Sequence, residues 1–345
     1  MLGISSYFKD LDYDYLERAS KLGAKYLFTS LHIPEEDLSK LPEILPTFLE
    51  KCKEFNLDIV PDISPVTFEK LGVEANDYVA LKKMGFKVLR LDYGFDDFNV
   101  IKELLENFDL MLNASVVNEQ YILDAKAAGV DFSRISMLHN FYPKTETGLS
   151  LEYFKKMNEA FVRHGIRTMA FVPGDLLKRF PLYEGLPTVE KHRQENPYVA
   201  AVELIHDCGI TDVLIGDSKA HLNTLLYMEK YMSERIMHIP VVFTEGYHHM
   251  FDKLHTVRRD LSENVIRITA DRVPGIEIRD NNYRNRGAIT IENQLSGRYS
   301  GEIQITKKAM PMDARTNVIG FIHPDYVDLV DAIDRDTKIQ FVKIN

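Results

Sequence analysis

Eight times in its first two thirds, the chain runs a short apolar segment into an amphipathic helix. Five of the helices stop at a glycine (Gly23, Gly85, Gly129, Gly165 and Gly209) just ahead of the next apolar segment. Strand and helix alternating in this way require a parallel sheet, because parallel neighbours need a long crossover connection. Eight such units suit a closed (β/α)8 barrel, whose strands all end at one mouth. The expected strands are Leu2–Phe8, Lys25–Ile33, Leu57–Ser64, Val88–Tyr93, Leu110–Ser115, Ile135–Phe141, Arg167–Val172 and Asp212–Gly216.

Beyond about Ile236 the texture changes to short β-rich runs bounded by Asp, Asn, Gly and Pro. These are Val241–Thr244, Ile266–Thr269, Ile276–Ile278, Ala288–Glu292, Glu302–Ile305, Val318–Phe321 and Gln340–Ile344, with Tyr326–Ile333 as the one helical run. The pattern predicts a small β barrel or sandwich. Residues 1–235 are therefore expected to form the barrel and 236–345 a second, all-β domain. No low-complexity linker separates them.

A formal net charge of −10 argues against a nucleic-acid or anionic-membrane partner. Met1–Glu17 lacks the basic flank and apolar core of a signal peptide, and no apolar run reaches the roughly 20 residues of a membrane span. Cys52 and Cys208 stand far apart without a Cys-x-x-Cys partner, as expected of buried thiols in the cytoplasm. No His-Glu-x-x-His, Walker loop, nucleophile elbow or dinucleotide fingerprint is present, so neither metal nor cofactor is expected.

Most of the strands end on polar residues, which a barrel would gather at its mouth. The substrate-contact candidates among them are Ser6, His32, Asn113, His139 and Asn140. Alternation along the third strand aligns Val60, Asp62 and Ser64, and along the fourth Val88, Arg90 and Asp92. Asp62 and Asp92 serve either as partners of a guanidinium inside the barrel or directly in chemistry. The same alternation places Asp217 on top of a column with Val213 and Ile215, which suggests a functional acid.

The long loop from His139 to Ser150 adds Glu146. Two carboxylates across a sugar-sized gap suit glycoside hydrolysis. Asp217 and Glu146 are the first choice for acid and base, with Asp62 and Asp92 in reserve. Ser218 and Lys219 open the last barrel helix, where an anion is favoured; a capping role for Ser218 is the alternative. In the second domain, two Arg-rich clusters present Arg286 and Arg298, guanidinium forks suited to phosphate or carboxylate.

The chain resembles the 6-phospho-N-acetylmuramidases of the MupG type over essentially its whole length. The resemblance rests on Leu2-Gly3-Ile4-Ser5, on the His139–Ser150 loop with Glu146-Thr147-Gly148-Leu149, on Arg-Gly-x-Ile-Thr-Ile-x-Asn at Arg286–Asn293, and on Arg298-Tyr299-Ser300-Gly301-Glu302. It implies a barrel followed by a cyclophilin-like β domain. It also implies intracellular cleavage of the phosphorylated disaccharide MurNAc 6-phosphate–GlcNAc during peptidoglycan recycling. The phosphate and lactyl carboxylate of that substrate would give Arg286 or Arg298 a use, with the β domain leaning over the barrel mouth. The rival readings are a phosphosugar isomerase or aldolase, and a non-catalytic phosphosugar sensor.

Overall fold

The computed structural model describes residues 1–31 and 41–344. Contacts divide the chain into two compact units, Met1–Glu229 and Lys230–Asn345.

In the first unit, strands β1 (Leu2–Ser5), β2 (Ala24–Ser30), β3 (Asp58–Ile63), β4 (Val88–Leu91), β5 (Asp109–Asn113), β6 (Ile135–Leu138), β7 (Arg167–Val172) and β8 (Asp212–Ile215) close in sequence order, β8 pairing back onto β1. All neighbours are parallel. The connecting helices are α1 (Tyr13–Lys21), α2 (Leu41–Glu54), α3 (Pro65–Lys70), α4 (Tyr78–Met84), α5 (Phe98–Asn107), α6 (Glu119–Ala127), α7 (Leu151–Arg163), α8 (Pro197–Asp207) and α9 (Leu222–Glu234). Their starts follow capping chemistry. Asp12, Asp77, Asn118 and Ser150 each accept a backbone N–H from the first turn of α1, α4, α6 and α7.

Phe28, Val60, Val88, Met111, Leu138, Met169, Phe171 and Leu214 fill the barrel interior as one buried cluster. Taken from alternate positions, they fix which face of β2 to β8 points inward. Phe141 packs on this cluster, with ring centroids 5.7 Å from Phe28 and 5.0 Å from Phe171. At the opposite end, Asp212 accepts from the Met1 amine and from Arg167 Nε at 2.8 Å, closing the floor between β7 and β8.

The inward set corrects one expectation. On β8, Leu214 faces the interior, so Val213, Ile215 and Asp217 belong to the outward face rather than to an inward column. All four β8 residues are buried, so hydrophobic alternation carries no sign of which face is which.

The second unit is a closed barrel in the order β10-β11-β13-β12-β14-β9-β15. Its strands are β9 (Ile236–Phe243), β10 (Leu254–Val257), β11 (Val265–Thr269), β12 (Ala288–Glu292), β13 (Ile303–Thr306), β14 (Thr316–Ile322) and β15 (Lys338–Lys343). All pairs are antiparallel except β9 with β15. Two expectations need correction here. Ile276–Ile278 is not a strand, and the helical run is a 3-10 segment, Pro324–Ala332. No helix among the described residues is long and apolar enough to cross a membrane.

Candidate active site

The mouth is built by the residues that continue each inward column past its strand. Ser30, Asp62 and Arg90 lie in register across β2, β3 and β4. Asp92, two residues beyond Arg90, receives its backbone bond from β3: its N–H donates to the Ile63 carbonyl at 3.0 Å. Arg90 is 3% exposed and sits between three partners. Its Nη1 pairs with Asp62 Oδ1 and stands 3.6 Å from Asp92 Oδ1, and its Nη2 donates to Asn140 Oδ1. A buried guanidinium needs such matched acceptors. Two carboxyl groups and one amide oxygen thus face a single guanidinium.

Asp62 and Asp92 differ in access, with side chains 12% and 28% exposed. Asn140 is fixed twice through its backbone: its N–H donates to Ser115 Oγ at 2.9 Å, and its carbonyl accepts from Thr188 Oγ1 at 2.9 Å. Asn113 is buried at the tip of β5, its Oδ1 accepting from the Ser115 N–H at 3.0 Å. Ser6, also buried, donates its N–H to the Phe28 carbonyl at 2.9 Å. Asp62, Arg90, Asp92 and Asn140 thus form one connected group, with Asn113 linked to it through Ser115. His32 lies outside the described residues.

Three expected site residues are placed elsewhere. His139, next to Asn140 in sequence, is turned outward beneath α7. Its ring centroid is 4.6 Å from Phe154, and Nε2 lies 3.4 Å from Asn158 Oδ1. Burial pushes its pKa down to about 4, which keeps the ring neutral. His139 is a packing residue, because inward-facing Leu138 forces it to the other face.

Asp217 is fully buried, and both of its oxygens are occupied. Oδ2 accepts from Gly174 N–H at 2.8 Å and Leu186 N–H at 3.1 Å, and Oδ1 from Arg179 N–H at 2.8 Å. Burial raises its pKa above the usual carboxylate range, against the pull of the three amides. The carboxylate is the internal anchor of the long β7–α8 connection. Gly216 beside it allows the close approach, since a Cβ there would collide with the Leu186 carbonyl. Tyr7 OH donates to the Gly216 carbonyl at 2.7 Å and locks the same corner.

Glu146 is exposed and backbone-strained, at φ +69°. The reason is a clamp that sequence reading missed. Glu190 accepts from Glu146 N–H at 2.9 Å and Gly148 N–H at 2.7 Å. Arg193 pairs with both Glu190 oxygens and also donates to the Gly185, Tyr142 and Lys144 carbonyls. Hydrogen bonding to Arg193 and the two amides holds the Glu190 pKa at about 2. Glu190-x-x-Arg193 was the available signal, an ion pair at helical spacing inside a loop.

The position after β8 is also taken internally. Ser218 Oγ donates to Asp10 Oδ2 at 2.8 Å and Lys219 Nζ to Asp12 Oδ2 at 2.6 Å. In the second unit, Arg286 is matched by Asp328 at 3.0 Å and Asp331 at 2.8 Å. Arg298 is exposed and donates to the Tyr299 hydroxyl at 2.7 Å.

His192, Glu195 and Glu203 hold potential metal-ligating atoms within 4.8 Å of one another. Lys191 already bridges those carboxylates, at 2.5 Å from Glu203 and 3.5 Å from Glu195, so the group closes as an ion network. Burial pushes both cysteine thiols up to about 12, which leaves them unreactive.

Comparison with known families decides the family of the chain. The N-terminal model of 6-phospho-N-acetylmuramidase matches residues 2–230 and the C-terminal model residues 237–342. The chain belongs to the 6-phospho-N-acetylmuramidase family. Membership places it among glycosidases of phosphorylated muramic sugars. Two solved structures share the full architecture. A conserved Enterococcus faecalis protein of unknown function is 30% identical, with a TM-score of 0.85 over 99% of this chain and 96% of that one. A B. cereus protein described as uncharacterized is 28% identical, with a TM-score of 0.81 over 99% of both chains. Among curated proteins, methionine aminopeptidase 2-1 of Leptosphaeria maculans is 24% identical over 256 residues, 73% of this chain. The chain spans about half the length of that relative, 48%.

Proposed function

We propose that this chain hydrolyses the β-1,4 bond of MurNAc 6-phosphate–GlcNAc, releasing MurNAc 6-phosphate and GlcNAc, as an intracellular step of peptidoglycan recycling. The observation that carries this reading is the Asp62–Arg90–Asp92–Asn140 group at the mouth of a barrel matched by a muramidase family. Carboxylates held at the strand ends supply the proton-transfer groups that glycoside cleavage needs. The half-buried Phe141 beside Asn140 offers an apolar face to a pyranose ring. The isomerase or aldolase reading is less well supported, since the inward strand positions among the described residues carry no lysine.

Within the second unit, Arg298 is a better candidate than Arg286 for holding an anion, because Arg286 is already neutralised by two aspartates. The test is incubation with MurNAc 6-phosphate–GlcNAc, following both products by mass spectrometry. Equimolar MurNAc 6-phosphate and GlcNAc are expected. Binding of the disaccharide by folded protein without cleavage would favour the sensor reading instead.

A further inference from the structure

Asp62 and Asp92 stand on the same wall of the barrel. Both approach Nη1 of Arg90, which keeps their nearest oxygens within about 6.5 Å of each other, allowing one hydrogen bond of ordinary length plus the 3.6 Å contact. Inversion needs a general base on the far face of the sugar, with carboxyl groups roughly 6.5–9.5 Å apart to admit water. A covalent double displacement uses carboxyl groups about 5–5.5 Å apart, one on each side of the glycosidic bond; Asp62 and Asp92 are compatible with the distance but stand on one side. The opposite wall has no such group among the described residues. Its inward positions are Phe171 on β7 and Leu214 followed by Gly216 on β8, while Asp217 is turned away into its loop anchor.

The same wall carries buried polar atoms that lack hydrogen-bond partners. Ser30 Oγ, on a residue 2% exposed, and Arg90 Nε, on a residue 3% exposed, have none among the described residues. They lie in the row that contains Asp62. Buried polar groups are seldom left unsatisfied, so these mark a surface shaped for polar groups of a ligand. Arg90 is already paired with Asp62 and Asn140, so this surface suits neutral hydroxyl and amide groups.

We propose that the nucleophile is the substrate's own 2-acetamido group, with Asp62 and Asp92 acting as a neighbouring pair; this rests on the muramidase reading above. Asp62, oriented by Arg90, accepts the acetamido N–H. The acetamido carbonyl oxygen attacks C1 and forms a C–O bond as the C1–leaving-oxygen bond breaks. Asp92, the more exposed of the pair and the one that carries a proton, gives it to the departing oxygen of GlcNAc. Water then attacks C1, Asp92 takes a proton from it, and the ring formed by the acetamido group opens. Two displacements at one carbon leave the anomeric configuration unchanged.

The test uses the unmodified protein and a series of disaccharides whose muramyl N-acyl group is acetyl, fluoroacetyl, difluoroacetyl or trifluoroacetyl. A stepwise loss of kcat/KM with each fluorine is expected, together with a β-configured MurNAc 6-phosphate as first product by proton NMR. Cleavage of the parent disaccharide with a flat series, or with inversion, overturns this proposal and leaves the muramidase reading intact. No cleavage of the parent disaccharide overturns both. As a readout independent of turnover, the thiazoline analogue of the bicyclic intermediate is titrated against Asp62→Asn. Weaker binding than to the parent protein is expected, and unchanged binding removes Asp62 from its assigned role.

Discussion

Two walls of the same barrel mouth use charged residues in opposite ways. On the β3–β4 wall, Asp62, Arg90 and Asp92 point inward and neutralise one another at the surface a substrate would meet. On the β7–β8 wall, Asp217, Glu190, Arg193, Ser218 and Lys219 point into the connecting loops and satisfy backbone amides, carbonyls or other loop side chains. Equally polar strand ends therefore separate into one wall proposed for chemistry and one that serves architecture. What sorts them is parity: a residue two steps from an interior apolar side chain faces the mouth, and one a single step away does not.

The contrast can be broken first by changing the inward wall. Asp92→Asn should lower kcat about 10²–10⁴-fold, the usual loss of a proton-transfer group, while the melting temperature holds. Asp62→Asn should also lower kcat, and with it the melting temperature, because it takes a carboxylate from the buried Arg90. Steady-state kinetics beside thermal unfolding checks this. Arg90→Lys comes next, because an ammonium cannot bridge Asp62 and Asn140 with a rigid fork. A fall of about 10-fold or more in kcat/KM is expected, and full activity would show that the fork is dispensable.

Changes to the other wall should appear mainly as stability. Asp217→Asn removes acceptors from buried amides and should cost about 1–3 kcal/mol in denaturant unfolding. pH dependence sharpens the picture further. His139 titrates near 4 when folded and near 6.5 when unfolded, so acidification protonates the unfolded chain first. Stability should fall as pH drops from 6.5 to 4, by up to about 3 kcal/mol from this residue. Glu190, held down at about 2, adds a second loss between pH 4.5 and 2, as its ion pair with Arg193 is protonated. His139→Phe should flatten the first limb and leave the second; equal limbs in variant and parent would contradict the assignment. The smallest effect is expected for Ser218→Ala, about 1 kcal/mol for one lost hydrogen bond.

Much of this architecture was legible in the residue pattern. The strand–helix alternation marked all eight units, and five of its helices are closed by glycine stops, which are local chemistry. Facing was legible where polar residues interrupt a strand, as in Val60-Pro61-Asp62 and Val88-Leu89-Arg90. It was not legible on β6 and β8, which are buried on both faces, so His139 and Asp217 were assigned to the mouth although they face away from it. The backbone partners of the Glu190–Arg193 clamp were invisible for another reason, though the ion pair itself leaves a spacing signal. The clamp joins two loops through backbone groups, and backbone partners leave no mark in a sequence. In the second unit, β10 (Leu254-His255-Thr256-Val257) was missed because only Val257 of its four residues is buried.

The most direct measurement compares Asp92→Asn with Asp217→Asn side by side, taking kcat on MurNAc 6-phosphate–GlcNAc and the unfolding midpoint of each. The inward Asp92 variant should keep its midpoint and lose turnover about 10²–10⁴-fold, while the Asp217 variant should unfold earlier and keep most of its turnover below its transition. An Asp217 variant that is stable and inactive, beside an Asp92 variant that is fully active, would contradict the assignment of chemistry to the β3–β4 wall.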